Sequence, residues 1–196
     1  MLNEFFIDCK KENFIAGWFL DDITVCDSII NFHKQTDTVP GVAGVPGQPG
    51  KIFIDLKHKD SEDCTLFGPA LTQYCTELQK VLDEYVKKFP YCNFYDPWNC
   101  IEPITVQYYK PGAGYHGIHT ERTSKHAPMS TRHIVFMTYL NDVTDGGETE
   151  FLHQEIKIKP QKGLTLIWPP DWTYTHRGIA SLTQEKYIVT GWFNFI

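Results

Sequence analysis

Three His-x-Asp/Glu pairs have the residue types and the spacing that could hold a metal ion in this chain of 196 residues. Side chains two positions apart point to the same face of a β-strand, so a histidine and a carboxylate in this pattern can act as neighbouring ligands. Chance alone can produce such a pair among eight histidines and 24 acidic residues, so the surrounding sequence must decide. The pairs are His58–Asp60, His119–Glu121 and His153–Glu155.

The sequence context favours the middle pair. His58–Asp60 lies in the charged run LKHKDSED, which is typical of a solvated surface. His153–Glu155 lies only 23 residues before His176, which leaves little room for intervening strands, whereas His119 lies 57 residues before it. His119, Glu121 and His176 would occupy one face of an octahedral ferrous ion and leave three positions open. These three residues are therefore the predicted metal ligands.

Lys186 is a candidate partner for an anion beside that metal. It follows His176 by ten residues, and a turn centred on Ser181 would make the two direct cross-strand neighbours. An ammonium and a hydroxyl on one strand face could bind one end of a small dicarboxylate while the metal chelates the other end. The residues that share the strand face with Lys186 are Ile188, Thr190 and Trp192.

Two helices are predicted in the first half of the chain. The segment 22–32 opens with Asp21 and Asp22 as candidate caps. Its expected apolar face comprises Ile23, Cys26, Ile29, Ile30 and His33. The segment 69–89, ended by Pro90, has the clearer helical spacing. Its expected apolar face comprises Leu71, Tyr74, Cys75, Leu78, Val81, Leu82, Tyr85 and Val86.

After residue 98 the pattern changes to short β-like runs separated by turn residues. Helices first and strands afterwards are typical of an α+β, mainly β fold, with the helices packed on one face of a small β-sandwich or jelly roll. The predicted strands cover residues 104–109, 133–141, 155–159, 164–168, 174–179 and 186–196.

Charge and composition exclude several classes of protein. A net charge of −6 argues against a protein held on nucleic acid by phosphate contacts. The sequence lacks the run of about 18 apolar residues that a membrane span needs, and its acidic start differs from a signal peptide, so we expect a soluble cytoplasmic protein. The six cysteines form no CxxC pair and are predicted to be mostly reduced thiols.

The C-terminal half, about residues 101–196, resembles the prolyl 4-hydroxylase type of iron(II)- and 2-oxoglutarate-dependent oxygenase. The similar segments are YKPGAGYHGIHTE, RHIVFMTYLND with GGETEF, KPQKGLTLIWPPDWTYTHRG and KYIVTGWF. The resemblance implies a double-stranded β-helix and a single domain over 1–196, with helical support and a Gly/Pro loop in 1–98 and the catalytic core in 99–196. It also implies Fe(II), 2-oxoglutarate and O2, with ascorbate as an optional reductant.

The resemblance assigns a role to each site residue. His119, Glu121 and His176 would hold the iron, and Lys186 would pair with the distal carboxylate of 2-oxoglutarate. Tyr109 and Thr190 are implied as supporting hydroxyls, and the candidate substrate contacts at the rim are Arg177, Tyr115 and Trp192.

Two features depart from the family pattern. Glu121 stands where Asp is usual, and one extra residue separates Tyr115 from His119, which leaves the role of Tyr115 open.

The implied activity is hydroxylation of peptidyl proline coupled to decarboxylation of 2-oxoglutarate to succinate. One alternative is the same chemistry on a free amino acid or other small metabolite, and another is a cupin-like binding module without turnover. The segment 36–51 has glycine at every third position from Gly41 to Gly50, which is typical of a flexible or polyproline-like loop tip. Pro46 and Pro49 each precede glycine, so this loop could itself be a substrate or a mimic of one.

Overall fold

The computed structural model describes residues 12–44 and 51–196. Within these ranges the chain forms two α-helices, α1 (Thr24–Lys34) and α2 (Gly68–Lys88). The strands in the same ranges are β1 (Ala16–Phe19), β2 (Val39–Pro40), β3 (Ala43–Gly44), β4 (Ile52–Phe53), β5 (Glu62–Thr65), β6 (Trp98–Asn99), β7 (Thr105–Tyr109), β8 (Arg132–Tyr139), β9 (Thr149–Phe151), β10 (Ile156–Ile158), β11 (Leu164–Trp168), β12 (His176–Gly178) and β13 (Lys186–Phe195).

Two antiparallel sheets form the jelly roll. The larger sheet has the strand order β1-β11-β8-β13-β7-β5-β2, with β6 beside β13, and the smaller sheet has the order β10-β9-β12. The short strands β3 and β4 form a separate hairpin. Strands from the first half of the chain thus extend the larger sheet at both edges, since β1 pairs with β11 and β5 pairs with β7.

Strand β8 separates two apolar cores. Ile134 and Phe136 point to the core shared with the helices, whereas Val135 and Met137 point to the core between the two sheets. All four side chains are buried, and this alternation requires apolar residues on both faces of the strand. The continuous run IVFM in the sequence therefore reflects a strand covered on both sides.

Both predicted helices are confirmed within two residues at each end. The N-cap position of α1 is Ile23, which provides no side-chain cap, and the predicted cap Asp22 lies one residue earlier, where its carboxylate accepts the Thr24 backbone N–H at 3.0 Å. Two residues depart from the predicted apolar faces. Ile23 precedes the first turn of α1 and is exposed, and Cys75 lies on the solvent side of α2. Glu77 is buried on α2 because its carboxylate accepts the Asp22 N–H and pairs with Lys80.

The predicted strands after residue 98 are all present, with shorter bounds at most ends. The sequence pattern missed β9 and the short strands β1 to β6. The predicted Gly/Pro loop contributes β2 and β3, and its residues 45–50 lie outside the described residues, as does Cys9. The other five cysteines are unpaired, as expected. Neither described helix combines the length and the apolar content that crossing a membrane would require.

We expect Phe136→Ala to lower the free energy of unfolding by about 3–5 kcal/mol, because the ring is fully buried between β8 and the helices. Urea unfolding followed by circular dichroism measures the change. The matched control is Phe19→Ala on β1, where the ring is half exposed, and we expect a loss of about 1 kcal/mol or less. Equal losses in the two variants would contradict this description of the core.

Candidate metal centre

His119, Glu121 and His176 converge at one point of the jelly roll. The Glu121 Oε1 atom lies 3.6 Å from His119 Nε2 and 3.4 Å from His176 Nε2. The donor atoms of all three lie within 4.8 Å of one another, and no other such group of three occurs in residues 12–44 and 51–196. The two histidines meet because each backbone N–H donates to the carbonyl of the other, at 3.0 and 2.9 Å.

Hydrogen bonds orient both imidazoles for metal binding. The Nδ1 of His119 lies 2.9 Å from the Gly117 carbonyl, and the Nδ1 of His176 lies 2.9 Å from the Tyr174 carbonyl. A carbonyl only accepts, so each Nδ1 carries the proton and each Nε2 keeps a free lone pair. Burial, together with neighbouring His176, lowers the pKa of His119, which favours the neutral ring that binds metals.

The two oxygens of Glu121 have separate partners. Oε1 faces the imidazoles, whereas Oε2 accepts the indole N–H of Trp192 at 3.0 Å and lies 3.5 Å from Arg132. Burial alone would raise the pKa of Glu121, but interaction with both imidazoles lowers it well below the ordinary value. The site thus offers two imidazole nitrogens and one monodentate carboxylate oxygen, the donor set that fits Fe(II) with open positions.

Arg132 lies next to Oε2 of Glu121, the carboxylate oxygen that does not face the imidazoles. The sequence did not predict it as a site residue. Its guanidinium forms a bidentate pair with Glu102 at 2.9 and 2.7 Å, donates to the Glu121 carbonyl at 2.9 Å, and stacks 3.5 Å from the centre of the Trp192 ring. The only sequence signal was an arginine at the start of a strand buried along most of its length.

Lys186 reaches the site from the opposite sheet, so the prediction that it is the cross-strand neighbour of His176 is wrong. His176 lies in the smaller sheet, and the chain crosses to the larger sheet before Lys186, which pairs with Tyr109. The ammonium nevertheless lies close to β12. The position that a Cβ atom would occupy on Gly178 is 3.6 Å from Lys186 Nζ. It donates to the Gly147 carbonyl at 3.1 Å. Burial lowers the pKa of Lys186 to about 8.

One cavity of about 650 Å³ contains the whole site. All nine residues named from the sequence line it: Tyr109, Tyr115, His119, Glu121, His176, Arg177, Lys186, Thr190 and Trp192. The expected common face of β13 is confirmed, because Lys186, Ile188, Thr190 and Trp192 all contribute to its wall. Lining residues that sequence reasoning missed include Gln107, Thr149 and Met137, each buried in a strand.

The residues predicted as supporting hydroxyls and as rim contacts have partners within the protein. The Tyr109 hydroxyl donates to Gln107 at 2.6 Å, and the Thr190 hydroxyl donates to the Phe136 carbonyl at 3.3 Å. The Tyr115 ring stacks on His119 with 3.8 Å between ring centres. Arg177 pairs with Glu150 at 2.6 Å.

The other two histidine–acid pairs differ in how far their surroundings are exposed. His153 and Glu155 are both exposed in a turn before β10, away from the cavity wall. In contrast, the run around His58–Asp60 is only in part the solvated surface that its charge predicted, since Lys57 and Glu62 are exposed but alternate residues of the run are buried. Lys59 and Asp63 are buried and paired at 2.7 Å, because this segment passes into β5 of the larger sheet and lies against the loop before His119.

Residues 104–194 match the family model of the 2OG-Fe(II) oxygenase superfamily. A search of the curated proteins gave no match. Among solved structures, the chain is similar to the viral collagen prolyl hydroxylase vCPH from Paramecium Bursaria Chlorella virus-1 in its 2OG complex, with 22% identity, a TM-score of 0.69 and coverage of 93% of this chain and 97% of that chain.

Two further solved structures share the fold. A Pseudomonas putida prolyl-4-hydroxylase is 15% identical, with a TM-score of 0.68 and coverage of 94% of each chain. A Trichoplax adhaerens prolyl hydroxylase, in complex with a hypoxia inducible factor oxygen degradation domain peptide fragment, is 17% identical, with a TM-score of 0.70 and coverage of 93% of this chain and 84% of that chain. The predicted jelly roll and the resemblance are confirmed.

We expect Trp192→Phe to weaken Mn(II) binding about tenfold, because it removes the donor to Glu121 Oε2 but keeps an aromatic ring under Arg132. Titration of the metal-free protein with Mn(II), followed by electron paramagnetic resonance, measures the affinity. Trp172→Phe is the control, since that indole is exposed. An unchanged affinity in Trp192→Phe would show that the indole does not support the carboxylate.

Proposed function

We propose that this chain is a member of the 2OG-Fe(II) oxygenase superfamily, whose family model matches residues 104–194. We further propose that it uses O2 to hydroxylate proline in peptides while it converts 2-oxoglutarate to succinate and carbon dioxide. The observation that carries the proposal is one cavity that combines the donor set of His119, Glu121 and His176 with the buried ammonium of Lys186. A donor triad binds a metal, and a buried cation beside it binds an anion, so the two together fit a metal that is chelated by a dicarboxylate.

The chain would hold Fe(II) through the two Nε2 atoms and through Oε1 of Glu121. When bound, iron and 2-oxoglutarate supply the activation of O2 and the transfer of one oxygen atom to a substrate C–H bond. The residues of the chain orient the ligands: two backbone carbonyls fix the imidazoles, and Trp192 with Arg132 fixes the carboxylate. The apolar part of the cavity wall, which includes Met137, Trp168 and Ile188, would limit the access of water to the reacting atoms.

Lys186 would bind the distal carboxylate of 2-oxoglutarate. An ammonium has three donors, and Gly147 accepts one of them. In the described part of the chain Lys186 forms no salt bridge, although the side chain is buried, and the carboxylate of Glu148 acts on it only from beyond ion-pair distance. A buried cation without a counter-ion is unfavourable, so an incoming carboxylate would be strongly favoured. This argues against a binding module without turnover, which has no use for such a cation. Tyr109 and Thr190 would support the same ligand from the cavity wall.

The rim of the cavity supports a peptide rather than a free amino acid. Val42, Ile52 and Ile118 line the opening and are largely exposed. An apolar rim suits a chain that lies across the opening with one residue inserted, whereas a free amino acid brings charged amino and carboxyl groups to the same place. The structural neighbours described as prolyl hydroxylases are consistent with this choice of substrate.

We expect succinate formation from 2-oxoglutarate with Fe(II) and O2, stimulated by a Pro-Gly repeat peptide and not by free L-proline. His176→Ala should lower turnover at least a hundredfold because it removes a ligand, and Lys186→Ala should raise the KM for 2-oxoglutarate about tenfold or more. His153→Ala, which changes an exposed histidine outside the cavity, is the control. Stimulation by free proline alone would replace the peptide with a small metabolite. Absence of succinate from protein that binds iron would overturn the oxygenase.

The affinity for 2-oxoglutarate should fall as the pH rises above about 8. The pKa of Lys186 lies near 8 because of burial, and only its protonated form attracts a carboxylate. Deprotonation of the free site should therefore weaken binding about tenfold between pH 7 and pH 9. Calorimetric titration of Mn(II)-loaded protein under nitrogen measures this. Lys186→Arg should bind with no such loss because guanidinium stays charged, and an equal loss in both proteins would assign the effect to another group.

A further inference from the structure

We propose that the buried ion pair of Lys59 and Asp63 is a positioning element of the metal centre, which holds the loop and the aromatic ring that present His119. This inference rests on the proposed function only in taking His119 as a metal ligand. The two residues come from the charged run that the sequence pattern assigned to the solvated surface, and no part of the mechanism above uses them.

The ion pair is buried, and Lys59 lines the same cavity as the metal centre. Lys59 Nζ lies 2.7 Å from one carboxylate oxygen of Asp63, and the Ser61 hydroxyl donates to the other at 2.7 Å. The three residues are at most 9% exposed. Gly41 crosses directly over them, and its N–H donates to the Ser61 carbonyl at 2.8 Å. A side chain on Gly41 would overlap Ser61 and the Lys59 stem, so only glycine permits this close approach.

The backbone around the pair supports the loop before His119. Lys59 forms an isolated antiparallel bridge with Tyr115, and the Gly117 N–H donates to the His58 carbonyl at 3.0 Å. On its other side the loop is held by the Gly178 N–H, which donates to the Tyr115 carbonyl at 2.8 Å. This loop contains the extra residue that departs from the family pattern, so the added length is accommodated between two hydrogen-bonded neighbours.

Side-chain contacts through Tyr115 connect the ion pair to the imidazole of His119. The ammonium of Lys59 lies 5.5 Å from the centre of the Tyr115 ring, and that ring stacks on His119 at 3.8 Å with 9° between the planes. A desolvated cation is attracted to an aromatic face, so the pair fixes the position of the tyrosine. Because Tyr115 covers the imidazole, its position limits the tilt of the ring and the direction in which Nε2 points.

The test compares Mn(II) affinity in variants that remove the pair without leaving an unpaired buried charge. The double variant Lys59→Met/Asp63→Asn removes both charges, and we expect a melting temperature near that of the wild type but about tenfold weaker Mn(II) binding. In the Tyr115→Leu background the same two changes should cause no further loss, because the aromatic link is already absent. In the Tyr115→Phe background the tenfold loss should remain. Lys110→Met is the control, because it breaks the exposed pair with Asp60 at 3.5 Å.

Each outcome has one meaning. Wild-type affinity in the double variant, or an equal additional loss in the Tyr115→Leu background, would overturn the positioning role and leave the pair as a structural feature. If the wild-type protein itself bound no Mn(II), the metal centre would be wrong, and that failure is distinct from failure of the positioning role. The coupling between the pair and Tyr115 is measured by binding alone and needs no turnover.

Discussion

The backbone pairing of His119 with His176 is the constraint on which the site depends. The two residues are 57 positions apart, and a ligand set requires their Nε2 atoms within a few ångströms of Glu121 Oε1. Two reciprocal hydrogen bonds fix that distance at the level of the main chain, where rotamer changes do not disturb it. In the smaller sheet β9 pairs with β12 and positions His176 opposite Phe151.

The contacts of the second carboxylate oxygen explain why a glutamate suits position 121. The longer side chain places Oε2 against the Trp192 indole and near Arg132 while Oε1 faces the histidines. The bidentate pair with Glu102 in turn offsets the charge of Arg132, so the guanidinium can lie inside the protein without attracting Glu121 away from the two imidazoles. An aspartate, one methylene shorter, would reach fewer of these partners from the same backbone position.

Local pattern was sufficient to predict much of this molecule. The apolar spacing of 69–89 predicted α2 because a surface helix buries one stripe, and the period of two along β13 predicted that Lys186, Thr190 and Trp192 share a wall. Pairing between distant segments was not accessible in the same way. The sequence distance between His176 and Lys186 suggested a hairpin, but these residues belong to different sheets, and no local signal distinguishes a hairpin from a crossing. The sequence pattern also missed strands β1 and β5. Each is only four residues long and is stabilised by pairing with a strand that is distant in the sequence.

The charged run at 57–63 shows most clearly why composition can mislead. Charged residues are normally exposed because removing them from water is costly, and that rule predicted a solvated surface. The rule fails where opposite charges are buried together, as Lys59 and Asp63 are, since each then compensates the other. Lys186 is the contrasting case: it is equally buried, but no carboxylate in the described residues pairs with it. The two lysines therefore differ in whether an acid of the chain already compensates the charge, and only the three-dimensional arrangement of acids reveals this difference.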